Sequence, residues 1–167
     1  TIERYLLSEK VNPENPVWEL EDAPGTKKFK FLGIKILPKN ETLITVESGF
    51  TIEFNCFCFL KNSAVDISYE IFTNDEIKLL HHGHLICKPK ELKVGKYKLR
   101  AHFPPFILNE GKYKLKVWSG LSGTEEIASI NNYIVFEIFN NHVNNSTKNS
   151  PGIICPQITY ETISGHN

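Results

Sequence analysis

A chain of 167 residues with 41% hydrophobic content is long enough to bury one sizeable core and short for two. Lysine plus arginine and aspartate plus glutamate each total 19, so no global field favours nucleic acid or an anionic membrane, and charged recognition has to be local. No run approaches the roughly 20 apolar residues of a membrane span, the start lacks the basic and apolar regions of a signal peptide, and direct membrane insertion is not expected.

A chain that opens on Thr1 and contains no methionine is expected to be a piece of a longer polypeptide. In the opening stretch Ile2, Tyr5 and Leu6 make an apolar stripe at helical spacing, so a short helix is predicted from Thr1 to Lys10. Pro13 and Pro16 end it, and with Pro24 and Gly25 they give the composition of an ordered linker. Residues 1–26 are therefore read as a connection from an upstream domain. From Phe29 onward come short runs of aromatic and β-branched residues closed by Gly, Pro, Asn or Asp. Strands are predicted near 28–37, 42–47, 50–60, 65–73, 77–82, 96–103, 112–118, 132–139 and 153–160, with no helix in the middle. Residues 27–139 then form an all-β domain, an antiparallel β-sandwich of jelly-roll or immunoglobulin-like type. The polar run at 140–150 reads as a flexible loop, and 151–167 as a last strand and tail.

Alternation assigns faces to several of these strands. Tyr97, Leu99, Ala101 and Phe103 point inward and leave Lys96, Lys98, Arg100 and His102 outside. Tyr113, Leu115 and Val117 point inward and leave Trp118 outside beside Lys114 and Lys116. On 51–60, Ile52, Phe54, Cys56 and Cys58 share one face, and Phe57 and Phe59 lie on the other with Glu53 and Asn55.

Cys56 and Cys58, one residue apart in an apolar run, read as buried reduced thiols, which suits a cytosolic location better than a disulfide framework. That spacing also fits structural zinc poorly. His81-His82-Gly83-His84 is the most metal-like stretch, yet no carboxylate or cysteine cluster lies near it, and it reads as a polar strand end entering a loop. The chain has no phosphate-cradling G-x-x-x-x-G-K-[ST], no nucleophile elbow and no histidine-glutamate metal motif. Leu121-Ser122-Gly123-Thr124 reads as a hairpin loop. No catalytic residue, metal or cofactor is expected.

The outward aromatics carry the functional reading. Sugars present apolar C–H faces ringed by hydroxyls, so proteins that hold them set an aromatic platform among fixed polar groups. Trp118 with Lys116 and Lys114, joined by Arg100 and His102 from another strand and by Phe57 and Phe59, supplies those residue types, and the cations suit an acidic sugar or a phosphate. The plain alternative is that these aromatics pack under loops or in a subunit interface.

Several segments also carry a resemblance. Trp18 with Ala23-Pro24-Gly25, Ile52-Glu53-Phe54, the run Phe103-Pro104-Pro105-Phe106-Ile107-Leu108-Asn109-Glu110-Gly111-Lys112-Tyr113, and Pro151-Gly152-Ile153-Ile154-Cys155-Pro156-Gln157-Ile158-Thr159-Tyr160 occur in one order. Together they resemble the C-terminal domain of the ATPase subunits of polysaccharide-exporting ABC transporters, the Wzt type. Ile2-Glu3-Arg4-Tyr5-Leu6 resembles the stretch where the ATPase hands over to that domain. Tyr160 departs from the family, where tryptophan is common, and no binding-site motif transfers residue by residue. The resemblance implies a non-catalytic domain that binds the exported O-antigen glycan at its modified non-reducing end. It further implies an upstream ATPase domain, a transmembrane transporter subunit, a cytoplasmic position at the inner membrane, and a homodimer that exchanges a terminal strand. A dimerisation or docking module that touches no sugar is the competing reading.

Overall fold

The computed structural model describes residues 15–39, 42–140 and 152–154. Its strands are β1 (Phe29–Pro38), β2 (Phe50–Cys58), β3 (Val65–Thr73), β4 (Lys78–Leu85), β5 (Gly95–Phe103), β6 (Gly111–Leu121), β7 (Glu125–Ser129) and β8 (Ile134–Ile138). One sheet has the order β1-β2-β5; the other runs β4-β3-β6, with β7 and β8 both on the far side of β6. β8 pairs with β6 over Gly111 to Leu115 and β7 over Trp118 to Leu121, and every pairing between strands is antiparallel.

Alternation explains why the two sheets face each other. Ile52, Phe54, Cys56 and Cys58 of β2 are buried, as are Val65, Ile67, Tyr69 and Ile71 of β3 and Tyr113, Leu115 and Val117 of β6. These side chains form one core with Phe29, Phe31, Phe103 and Phe136, in which Phe50 stacks on Phe103 at 4.4 Å between centroids. The molecule is the antiparallel β-sandwich that the period-two pattern predicts. On the described residues no helix is long and apolar enough to cross a membrane.

Element boundaries differ from expectation in three places. Residues 42–47 form no strand: Thr45 and Ser48 bond each other's backbone amides through their hydroxyls and bend the chain, leaving a single parallel bridge from Thr45 to Phe139. β7 was not foreseen, because Glu125 and Glu126 hide its apolar Ile127 and Ala128. The histidine run lies inside β4 instead of ending it, so His81 faces one way and His82 and His84 the other. The helix predicted at 1–10, the loop at 141–150 and most of the strand at 153–160 lie outside the described residues.

Residues 15–26, for all their prolines, run along the outer edge of β1. Trp18 donates its amide to the Leu32 carbonyl at 2.9 Å, the Ile34 amide donates to the Pro16 carbonyl at 2.9 Å, and the Ile36 amide to Asn15 Oδ1 at 2.7 Å. Gly33 permits this approach, since a Cβ there would lie 3.2 Å from the Pro16 carbonyl oxygen. The Thr26 hydroxyl then donates to the Ile127 carbonyl on β7 at 2.8 Å and ties the two sheets together on that side.

The crossing from β5 to β6 is equally fixed. The Tyr113 hydroxyl donates to the Asn109 carbonyl at 2.8 Å, while Asn109 Nδ2 donates to the Gly152 carbonyl at 2.7 Å and the Asn109 amide to the Ile153 carbonyl at 2.9 Å. Asn109 thus anchors residues 152–153 to this crossing.

Burial, followed by the neighbouring Cys58 thiol, pushes the Cys56 thiol up to about 12. Burial likewise pushes up Cys58. Since the thiolate is the reactive form, neither should react with an aromatic disulfide reagent in the native protein, and the half-buried Cys87 should react first of the three. Mass mapping of labelled peptides before and after unfolding checks this; early labelling of Cys56 would contradict it.

Candidate functional site

The predicted site residues divide between the two outer faces of the sandwich. Trp118, Lys116 and Lys114 stand on the outer face of the β4-β3-β6 sheet, whereas Arg100, His102 and Phe57 stand on the outer face of β1-β2-β5. Phe59 follows β2 and packs on Phe57 with 4.6 Å between ring centroids. The expectation of one platform combining Trp118 with Arg100 and His102 is corrected here. Residues 104–110 carry the chain from one sheet to the other, so strands adjacent in sequence present their outward residues to opposite sides.

On the Trp118 face, β3 supplies the floor. Its outward residues are Asp66, Ser68 and Glu70. Ser68 lies between Gly83 of β4 and Trp118 of β6, Asp66 pairs with Gly120, and Glu70 lies between His81 and Lys116. The Ser68 hydroxyl donates to Asp66 Oδ1 at 2.9 Å, which orients a carboxylate that still has acceptor positions unused. Neither Gly83 nor Gly120 has room for a side chain: a Cβ on Gly120 would lie 2.8 Å from Asp66 Oδ2, and one on Gly83 would run into the Ser68 hydroxyl. The result is a shallow polar floor beside an indole.

The indole is held from two sides. The His81 ring meets it edge-on with centroids 5.2 Å apart, and Lys116 Nζ sits 5.9 Å over its ring. His81 also approaches the buried Glu70 carboxylate, 3.8 Å away, which Lys78 pairs as well. Lys114 is engaged elsewhere, bonded to Glu76 at 3.1 Å and lying over Tyr133. Asp66, Ser68 and His81 were not among the sequence candidates. The alternation of Val65-Asp66-Ile67-Ser68-Tyr69-Glu70 marks Asp66 and Ser68 as outward, but only the register places them and His81 of β4 beside Trp118.

On the opposite face Arg100 Nε and Nη2 both reach Glu53 Oε2 at 2.8 Å, with Lys98 Nζ at 3.4 Å and Asn55 Nδ2 at 3.1 Å from Oε1. His102 Nδ1 and the Thr51 hydroxyl are 3.0 Å apart. Arg100 and His102 also reach the rim of a cleft of about 460 Å³ between the edge strands β4 and β5. Among the described residues no group of three or more His, Cys, Asp or Glu is placed to hold a metal ion.

A solved structure of the C-terminal domain of Wzt superposes on this chain with a TM-score of 0.61, covering 92% of this chain and 91% of that one at 12% identity. The fold is that of the Wzt C-terminal domain. The architecture expected from the Pro104-to-Tyr113 and neighbouring segments is thereby found in three dimensions, over nearly the whole length of both chains. No protein-family model and no curated protein matches the sequence. At this identity the likeness to the Wzt domain speaks for fold, and the site has to be argued from its own geometry.

Proposed function

We propose that this chain is a non-catalytic carbohydrate-binding module that recognises an exported polysaccharide, an O-antigen glycan at its modified non-reducing end, for ABC-transporter-mediated export. The observation that carries the reading is the Trp118 indole standing beside the Asp66-Ser68 floor, whose carboxylate and hydroxyl lie over the flanking Gly120 and Gly83. A pyranose laid on the indole would bury its C–H face there and direct hydroxyls to the carboxylate and to Ser68. In this reading the module works in the cytoplasm beside an ATPase domain and a transmembrane subunit, and pairing of two copies adds avidity to a weak single site.

The test is calorimetric titration with O-antigen polysaccharides of defined terminal residue. Trp118→Ala should weaken binding of the cognate glycan by about thirtyfold, the loss expected for a central aromatic anchor, with an unchanged circular dichroism spectrum. Asp66→Asn should weaken it less. Unaltered affinity in Trp118→Ala would move the site off this face. A stable dimer in sedimentation with no affinity for any glycan would favour the docking module instead.

A further inference from the structure

The sandwich is closed on one long side and open on the other. Where β1 meets β7, the Thr26 hydroxyl bond and the Lys28–Glu125 ion pair at 2.6 Å join the sheets. Across the molecule, β4 and β5 each end their sheet with no further strand beside them among the described residues, and the cleft of about 460 Å³ opens between them. Its volume falls in the range of small-molecule sites.

The cleft has a sharply divided chemistry. Leu80 comes from the β4 side and Leu99 from the β5 side as apolar walls. Tyr69 lines it as well: its ring is largely buried, while its hydroxyl, which is not a buried atom lacking a partner, is presented to the cleft. The cleft is open to solvent, so the phenol is available to a ligand without being an unsatisfied buried group. Burial pushes this phenol up, so it stays a neutral donor. Around the rim stand His82, His84, Arg100 and His102, and no carboxylate lines the cleft. Arg100 is held rigid by Glu53 through two of its five N–H groups, which leaves the others free to donate. A tilted ring contact, at 6.0 Å between centroids, sets the His82 imidazole beside the Tyr69 ring.

We propose that this open-edge cleft is a second binding site, separate from the Trp118 face, that takes a sugar-sized organic anion: a ring with an apolar face and one carboxylate or phosphate. The ring lies between Leu80 and Leu99, Tyr69 donates to one of its oxygens, and the acidic group meets the imidazoles and the fixed guanidinium. Such a ligand has two sources, a free acid or the acidic end residue of a glycan, and one experiment distinguishes them.

Amide chemical shifts of the full chain are followed during titration with glucuronate, glucose 6-phosphate, neutral glucose, and an oligosaccharide ending in glucuronate. Saturable shifts are expected from both free acids on His82, His84, Leu99 and Ala101, with the Trp118 indole signal unmoved and glucose silent. Tyr69→Phe, which removes only the hydroxyl, should weaken acid binding about fivefold or more, and the His82→Gln/His84→Gln pair at least as much. Stronger binding by the acid-ended oligosaccharide supports the site with a chain end as occupant; binding by the free acids alone supports it with a small metabolite. Shifts that grow without saturating, equal shifts from glucose, or acid binding untouched in both variants would overturn the proposal. None of these outcomes depends on Trp118, so the glycan reading stands or falls separately.

Discussion

Phe54→Ala is expected to lower the unfolding free energy by about 3–5 kcal/mol, the range for removing a large buried side chain and leaving a cavity. Phe54 is fully buried on the central strand of its sheet, paired across to Ile34 and Leu99, with its ring 5.5 Å from Tyr69 of the facing sheet. It therefore bridges both layers. Urea denaturation measures the effect, with the midpoint falling while the slope stays constant. Phe57→Ala, three residues along on the outer face, should cost less than half as much. Equal losses would mean that the outer aromatic pair is core in all but position.

Arg100→Met is expected to destabilise by about 1–3 kcal/mol, because it strips the closest donor from a carboxylate that is almost fully buried. Glu53 keeps Lys98 and Asn55, so the loss is partial. The same group sets an acid limit. Burial by itself would raise the Glu53 carboxyl, but its bonds from Asn55, Arg100 and Lys98 together outweigh that and hold it below the ordinary 4.5. A folded-state value below the unfolded one means that this contribution is complete above about pH 4.5 and is lost as pH falls through the lower, folded value. Denaturation midpoints should accordingly fall below pH 4.5, and Glu53→Gln should flatten that part of the profile. Parallel profiles for the two proteins would show that Glu53 carries none of the acid sensitivity.

Much of this fold was legible because alternation is a local property. The faces of β2, β5 and β6, the buried thiols and the outward Trp118 all follow from counting in twos along single strands. What local counting does not contain is which strand lies beside which. Arg100 and Trp118 are 18 positions apart on successive strands, and only the crossing through residues 104–110, clamped by Asn109, sends them to opposite faces. The partners of Trp118 are residues of β3 and β4, some 35 to 50 positions upstream, brought there by register. The histidine run was hard to read for a related reason: on an edge strand both sides are accessible, so its composition is that of a loop. Thr45 and Ser48 show the converse, where a strand-like run is bent by two hydroxyls.

β4 contributes to both surfaces argued for above and almost nothing to the core, since none of its eight residues is buried. Its neighbour β3, and β6 beyond that, carry buried residues at alternate positions and cannot change these without loss of stability. A lineage exposed to a new ligand would therefore find its cheapest variation in one strand, where substitutions alter what is recognised while the folded population stays nearly constant. Divergence in this fold is expected to concentrate there, with specificity drifting along a single edge while the remaining scaffold stays fixed.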